Sequence, residues 1–169
     1  PFAGYAMPVQ YPMGVMGEHI HCRTKAGLFD VSHMGQVIVR GAVYSEAALA
    51  LETLIPVDIL GLAEDRQRYG YFTAKDGGLL DDLMLANRGD HVFMVVNAAR
   101  KAHDIAHMKA HLDVEVIEIT DRALLALQGP SAETVLASLD SSAAKMRFMD
   151  LQKSHVPNQL YQANQVSFV

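Results

Sequence analysis

Two adjacent carboxylates, Asp81 and Asp82, interrupt the otherwise apolar run Leu79-Leu80-Asp81-Asp82-Leu83-Met84-Leu85-Ala86. Strand alternation sends them to opposite faces, Asp82 with Leu80, Met84 and Ala86, and Asp81 with Leu79, Leu83 and Leu85. They are therefore not a glycosidase-type pair, which needs both groups around one sugar. A carboxylate among apolar neighbours must be hydrogen-bonded or shift its pKa, the environment that a general acid/base or a ligand-binding carboxylate needs. The competing role is structural, with one Asp capping the Gly77-Gly78 turn or bonding backbone amides. The residues alone leave open both the role and which Asp would carry it.

Other chemistry-bearing residues give weaker signals. His103, His107 and His111 recur at four-residue spacing and could share one helix face around a metal, but Asp104 stands where a metalloprotease helix has Glu. On a helical wheel they lie opposite Ala102, Met108 and Leu112, so a solvated polar face is expected. His19 and His21 would diverge by about 200° on a helix. Cys22 reads as a small buried group with no base assigned to it. The neighbours Asp30, Ser32 and His33 point apart and make no triad. Gly77-Gly78 joins two strands, and no G-x-G-x-x-G or G-K-[ST] pattern exists for a dinucleotide or a phosphate loop.

The elements that must position these groups read as an α+β fold, an antiparallel sheet packed with helices. Residues 1–13 hold three of the six prolines with Phe2, Tyr5, Met7, Val9 and Tyr11, predicting an extended segment packed on the body. A helix is expected over 14–26, with Gly27 as its stop, and a strand over 36–40. Ser45 is the expected N-cap of a helix over 46–54, with Pro56 ending it. Runs 68–73, 79–87 and 91–97, separated by Lys75-Asp76-Gly77-Gly78 and Arg88-Gly89-Asp90, predict a three-stranded meander. Alternation within the last run makes both its faces apolar, so it belongs in the centre of a sheet, covered on both sides. Ala98, Ala102, Ile105, Met108 and Leu112 predict a helix, 114–119 and 124–127 two strands, and Pro130 the first position of a helix with an Ala132, Val135, Leu136 and Leu139 stripe.

Composition bounds the function. The 169 residues are 50% apolar, enough for a core, and 14 Lys+Arg against 19 Asp+Glu give a net charge of −5, which disfavours nucleic acid as a partner. The single cysteine excludes an internal disulfide and multi-Cys metal motifs, in keeping with a reducing compartment. Apolar runs are far shorter than the ~18–20 residues that cross a bilayer, so no membrane partner is expected. The chain opens on Pro1-Phe2 without an initiator Met, so a removed transit peptide remains compatible with it.

Several segments together resemble the aminomethyltransferase family, the T-protein of the glycine cleavage system. They are Pro1-Phe2-Ala3-Gly4-Tyr5, Met7-Pro8-Val9-Gln10-Tyr11, Glu18-His19, Ala26-Gly27-Leu28-Phe29-Asp30-Val31-Ser32-His33-Met34-Gly35, Gly77-Gly78-Leu79-Leu80-Asp81-Asp82-Leu83, Val95-Val96-Asn97-Ala98 and Ala126-Leu127-Gln128-Gly129-Pro130. The resemblance runs from residue 1 to about 139. It implies a folate-binding domain over 1–150, built of two interleaved subdomains, followed by an atypical tail over 151–169. It also implies the reaction: an aminomethyl group on the lipoyl sulfur of H-protein gives its carbon to tetrahydrofolate, forming 5,10-methylenetetrahydrofolate and releasing ammonia, with no metal.

By the same resemblance Asp82 is the catalytic aspartate, orienting the folate nitrogen and stabilising developing positive charge. Tyr69 and Asn97 match folate contacts, and Met34 the apolar wall. Several relatives have a tyrosine where this chain has Ala86. Location follows the host, cytoplasm in a bacterium and mitochondrial matrix in a eukaryote. The tail has six Asn/Gln, no acid and no clear periodicity, and relatives carry a Gly-Tyr-Thr-Gly-Glu motif there and run to about twice this length. An incomplete N-terminal portion, truncated or frame-shifted, is therefore expected. The alternatives are a non-catalytic folate-binding relative and an inactive fragment. Iron–sulfur assembly relatives, with their Lys-Gly-Cys-Tyr motif, and sarcosine-type demethylation modules fit less well.

Overall fold

The computed structural model describes residues 1–154 and 166–168; the tail residues 155–165 and 169 lie outside the described residues. The elements run α1 (Gly14–Thr24), β1 (Gly27–Asp30), β2 (Gly35–Arg40), α2 (Tyr44–Glu52), β3 (Gln67–Thr73), β4 (Leu79–Asn87), β5 (Val92–Val96), α3 (Lys101–His111), β6 (Glu115–Ile119), β7 (Leu125–Gln128) and α4 (Ala132–Leu139), then a 3-10 turn (Ser141–Lys145), β8 (Gln152–Ser154) and β9 (Val166–Phe168). They fall into two compact units, Met34–Arg122 and the flanking segments Pro1–His33 with Ala123–Val169.

The Met34–Arg122 unit is a five-stranded antiparallel sheet in the order β3-β4-β5-β2-β6. The meander forms as its turn residues predict. Gly77 sits at φ +86°, which glycine adopts without a Cβ penalty, and Asp76 Oδ1 accepts from Gly78 N at 3.0 Å. Asp76 thus takes the turn-capping role that Asp81 and Asp82 could have had. β5 is central, as its apolar alternation requires. Phe72, Leu83, Leu85, Val92, Met94, Val96, Val37 and Val39 form one buried face, closed by Ala47, Ala48 and Leu51 of α2 and by Ile105 and Met108 of α3. The opposite face of β5, Phe93 and Val95, is only half-buried, so the expected cover on both sides holds for one side.

Three local expectations are corrected. Ser45 lies inside α2, whose N-cap is Val43; Glu46 Oε2 instead accepts from Ala42 N at 2.7 Å and satisfies the free amide there. α3 begins at Lys101 rather than near Ala98, because Arg100 N bonds Asn97 O at 3.0 Å in a turn that frees the Asn97 side chain. α3 is also rotated from the expected wheel: Ala102 is exposed, Asp104 is buried with Ile105 and Met108, and His107 packs edge-on to Phe72 at 5.5 Å, so only His103 and His111 face outward. Burial lowers the pKa of His107, with help from the neighbouring imidazoles His111 and His103.

In the other unit β1 pairs with β7, and β8 with β9, so the segment read as aperiodic carries two short strands. Gly129, at φ +115°, lies where a Cβ would come within 2.4 Å of Cys22 O and 2.5 Å of Lys25 O, a close approach only glycine permits. Pro130 stands before the Ser131 N-cap of α4 rather than at its first position, and Val135 and Leu139 stay exposed. In the N-terminal segment Phe2 and Tyr5 pair with each other and place their rings on His33, at 5.6 and 6.2 Å, while Val9, Tyr11 and Met13 are exposed. Phe2 and Tyr5 are exposed as well, so the expected packing of this segment on the body is slight. Cys22 is a free thiol, half-buried, with Sγ 3.8 Å from Gln128 O.

Candidate functional site

β4 carries the two aspartates across the sheet in register with β3: Asp81 opposite Phe72, and Asp82 opposite Tyr71. Phe72 belongs to the buried face, so Asp81 and Asp82 leave the strand on opposite sides, as alternation predicts. On the open side Tyr69 and Tyr71, two residues apart on β3, set their rings edge to face at 5.2 Å. With Leu79, Leu80, Asp81 and Asp82 they line an open groove of about 300 Å³.

The Asp82 carboxylate is bonded from two directions. The Tyr69 hydroxyl donates to Oδ2, and Asn97 Nδ2 donates to Oδ1 at 2.7 Å. Asn97, the first residue beyond β5, also reaches Asp82 O at 3.2 Å and Asp81 Oδ1 at 3.1 Å. The Tyr69 bond holds the Asp82 carboxyl below the usual carboxylate range, with Asn97 adding to it and desolvation opposing. The same bond is the main cause pushing the Tyr69 hydroxyl up to about 12, so it stays a donor. Asp82 is thus a fixed anion at neutral pH: an acceptor for N–H groups and a partner for positive charge, not a proton source.

Of the four site residues expected from the sequence, Tyr69, Asp82 and Asn97 meet at this one point. Met34 does not line the groove; it precedes β2, whose Gly35 pairs with Val96, so its backbone lies at the sheet end where Asn97 stands. Ala86 is buried at the far end of β4. Tyr71 and the buried Asp104 were missed. Tyr71 could have been found from its two-residue spacing to Tyr69, whereas Asp104 was hidden by the wheel that put the histidines opposite the core. Among the described residues no group of three or more His, Cys, Asp or Glu could hold a metal ion, and no helix is long and apolar enough to cross a membrane.

Residues 1–169 match the family model described as the GCVT N-terminal domain. The chain is 44% identical to an aminomethyltransferase of Rubrobacter xylanophilus, over 88% of this chain and 41% of that protein. It is 38% identical to a mitochondrial aminomethyltransferase of Dictyostelium discoideum, over 88% and 39%. The crystal structure of glycine cleavage system aminomethyltransferase T from Bartonella henselae matches with a TM-score of 0.82 at 36% identity, covering 92% of this chain and 45% of that one. The chain therefore spans about two-fifths of the length of the relatives it matches. Helices packed on an antiparallel sheet, the shared fold with the Bartonella protein and the family match over 1–169 lead to one conclusion: this chain belongs to the GCVT N-terminal domain family, that of the aminomethyltransferases of the glycine cleavage system.

Proposed function

We propose that this chain provides the folate side of a tetrahydrofolate-dependent aminomethyl transfer, in which the carbon arrives on the lipoyl arm of H-protein and ammonia leaves. The observation that carries the reading is the Asp82 carboxylate, fixed by Tyr69 and Asn97 at the edge of a groove walled by two tyrosine rings and two leucines. An apolar, aromatic slot with a few polar anchors is what a flat heterocycle bearing N–H groups requires. Tetrahydrofolate supplies the amine nucleophile.

Asp82 orients that nitrogen through the lone pairs left on Oδ1 and Oδ2, and its charge stabilises the positive charge that develops as the carbon is transferred. Tyr69 keeps its proton and holds Asp82 in one direction, so the carboxylate needs no reorganisation during reaction. Tyr71 and Leu80 flank the ring, while Met34, which does not line the groove, could reach the ligand only at the sheet end beside Asn97. The cytoplasm of a bacterium or the mitochondrial matrix is the matching location, as relatives of both origins exist.

Calorimetric titration with tetrahydrofolate tests the binding half: the unmodified chain binds, and Asp82→Asn weakens binding by about tenfold through loss of one charge-assisted bond. Turnover with aminomethylated lipoyl carrier tests the chemistry, with a loss of at least about a hundredfold expected for Asp82→Asn. Absence of folate binding sinks the folate reading. Folate binding without any turnover of the unmodified chain points instead to a non-catalytic folate-binding role.

A further inference from the structure

Behind the groove, on the buried side of β4, stands a carboxyl group that the reaction chemistry above does not use. Asp104 of α3 is 1% exposed. Its Oδ1 lies 3.1 Å from His103 Nδ1, while its Oδ2 is buried without a hydrogen-bond partner among the described residues. Asp81 shows the same defect: Oδ1 accepts from Asn97, and Oδ2 is buried and unpartnered. Two buried carboxylate oxygens without donors, one on β4 and one on α3, are costly as a pair of anions. A single proton between them satisfies both, one as donor and the other as acceptor. Asp81 leaves β4 on the face that carries Phe72, against which His107 of α3 packs, and its side chain is one of the groups that raise the Asp104 carboxyl.

We infer that Asp104 is a positioning residue for the Asp82 site: it carries a proton shared with Asp81, and through Asp81 and the Asn97 amide it fixes the direction of the Asp82 carboxylate. The connection is continuous. Asp104 donates to Asp81, Asp81 Oδ1 takes one donation from Asn97 Nδ2, and the same amide nitrogen donates to Asp82 Oδ1. Loss of the proton leaves Asp81 and Asp104 as facing anions, and their repulsion pulls on the amide that holds Asp82. Burial first, and the bond with Asp81 second, push the Asp104 carboxyl up to about 6, whereas Asp82 is held low, so around neutral pH the switching group is Asp104.

The ionisable groups acting on Asp104 are Asp81 from β4 and His103 from its own helix; the Arg100 guanidinium lies beside His103, and His107 packs on Phe72, the cross-strand neighbour of Asp81.

Because the effect on Asp82 rests on the proposed folate site, the test has one arm that needs no folate. In the ¹³C NMR spectrum of the 169-residue chain, the Asp104 carboxyl carbon titrates with a midpoint near 6; a midpoint at or below the ordinary carboxylate value of about 4 overturns the shared proton whether or not folate binds. The second arm is tetrahydrofolate affinity between about pH 5 and 8. The unmodified chain weakens as pH rises through the Asp104 midpoint. Asp104→Asn, which keeps a donor towards Asp81 at every pH, loses that inflection and binds at least as tightly as the unmodified chain at the upper end. Asp104→Leu, with no donor, binds about tenfold more weakly throughout. Imidazoles titrate in the same window, so His103→Gln is measured alongside and keeps the inflection. Equal behaviour of the Asn and Leu variants, or an inflection that disappears with His103→Gln instead, overturns the assignment. Absence of folate binding by the unmodified chain defeats the functional reading and leaves the NMR result to decide on the shared proton.

Discussion

The two faces of the five-stranded sheet are made by alternate residues of the same strands, yet they are covered differently. On one, Val37, Val39, Phe72, Leu83, Leu85, Met94 and Val96 meet α2 and α3 and are almost wholly removed from water. On the other, Tyr69 is 42% exposed, Tyr71 is 39% exposed, and Met84, Phe93 and Val95 are half-buried. The first face holds the fold together by apolar burial. The second has enough apolar surface to take a ring and enough water nearby to leave a carboxylate charged. Asp81 and Asp82, adjacent in β4, carry the difference into electrostatics: Asp82 is bonded by a hydroxyl and an amide and stays an anion, while Asp81 keeps one buried oxygen without a donor. Apolar packing and the proposed ligand chemistry are thus separated by a 180° step along β4, with Asn97 bonded to both aspartates.

Substitutions on the two faces should separate accordingly. The largest effect is expected for Phe72→Ala, which empties a fully buried aromatic site packed by His107 and costs about 3–5 kcal/mol in urea or thermal unfolding. A cost below about 1 kcal/mol would show that the two faces are not distinct in this way.

Next comes pH. Asp104 is raised from 3.8 to about 6 on folding, so its contribution to stability is fully present below about pH 4 and is lost as pH rises through about 6. The loss amounts to up to about 3 kcal/mol. Melting temperatures measured across that window fall for the unmodified chain and not for Asp104→Asn.

Tyr69→Phe acts on the open face and should leave stability little changed. It lowers tetrahydrofolate affinity by about tenfold, through loss of the bond that fixes Asp82; a large drop in melting temperature with unchanged affinity would reverse the roles of the faces. The smallest effect is the acid limb of Asp82. Its lowered pKa gives stability that is present above about pH 4 and lost as pH falls below it, opposite in sign to Asp104. Comparing Asp82→Asn with the unmodified chain below pH 4 reads that limb.

Much of this architecture was legible in the residues. Period-two alternation and the turns at Gly77-Gly78 and Gly89 located the meander and the centrality of β5, and the interruption of an apolar run singled out Asp81-Asp82. Two kinds of feature escaped. Helix ends depend on which side chain reaches a free amide, and Glu46 rather than Ser45 did so. The rotation of α3 depends on what the sheet offers it: Ile105 and Met108 pack into the core and carry Asp104 inward with them, to an interaction with Asp81, 23 residues away, that no local period encodes.

The sequence by itself determined the strands, their faces and the family, because these rest on short-range periodicity and on motifs contiguous in the chain. It also placed Asp82 in an apolar strand. Only the tertiary structure decided that Tyr69, from β3, and Asn97, from the end of β5, close on that carboxylate and keep it charged. It alone decided that Asp104 is buried on the side of the sheet to which Asp81 points, where Asp81 raises its pKa. The physical reason is that a carboxyl group's protonation is set by the groups within a few ångströms of it, and those groups came from strands and a helix that only folding brings together.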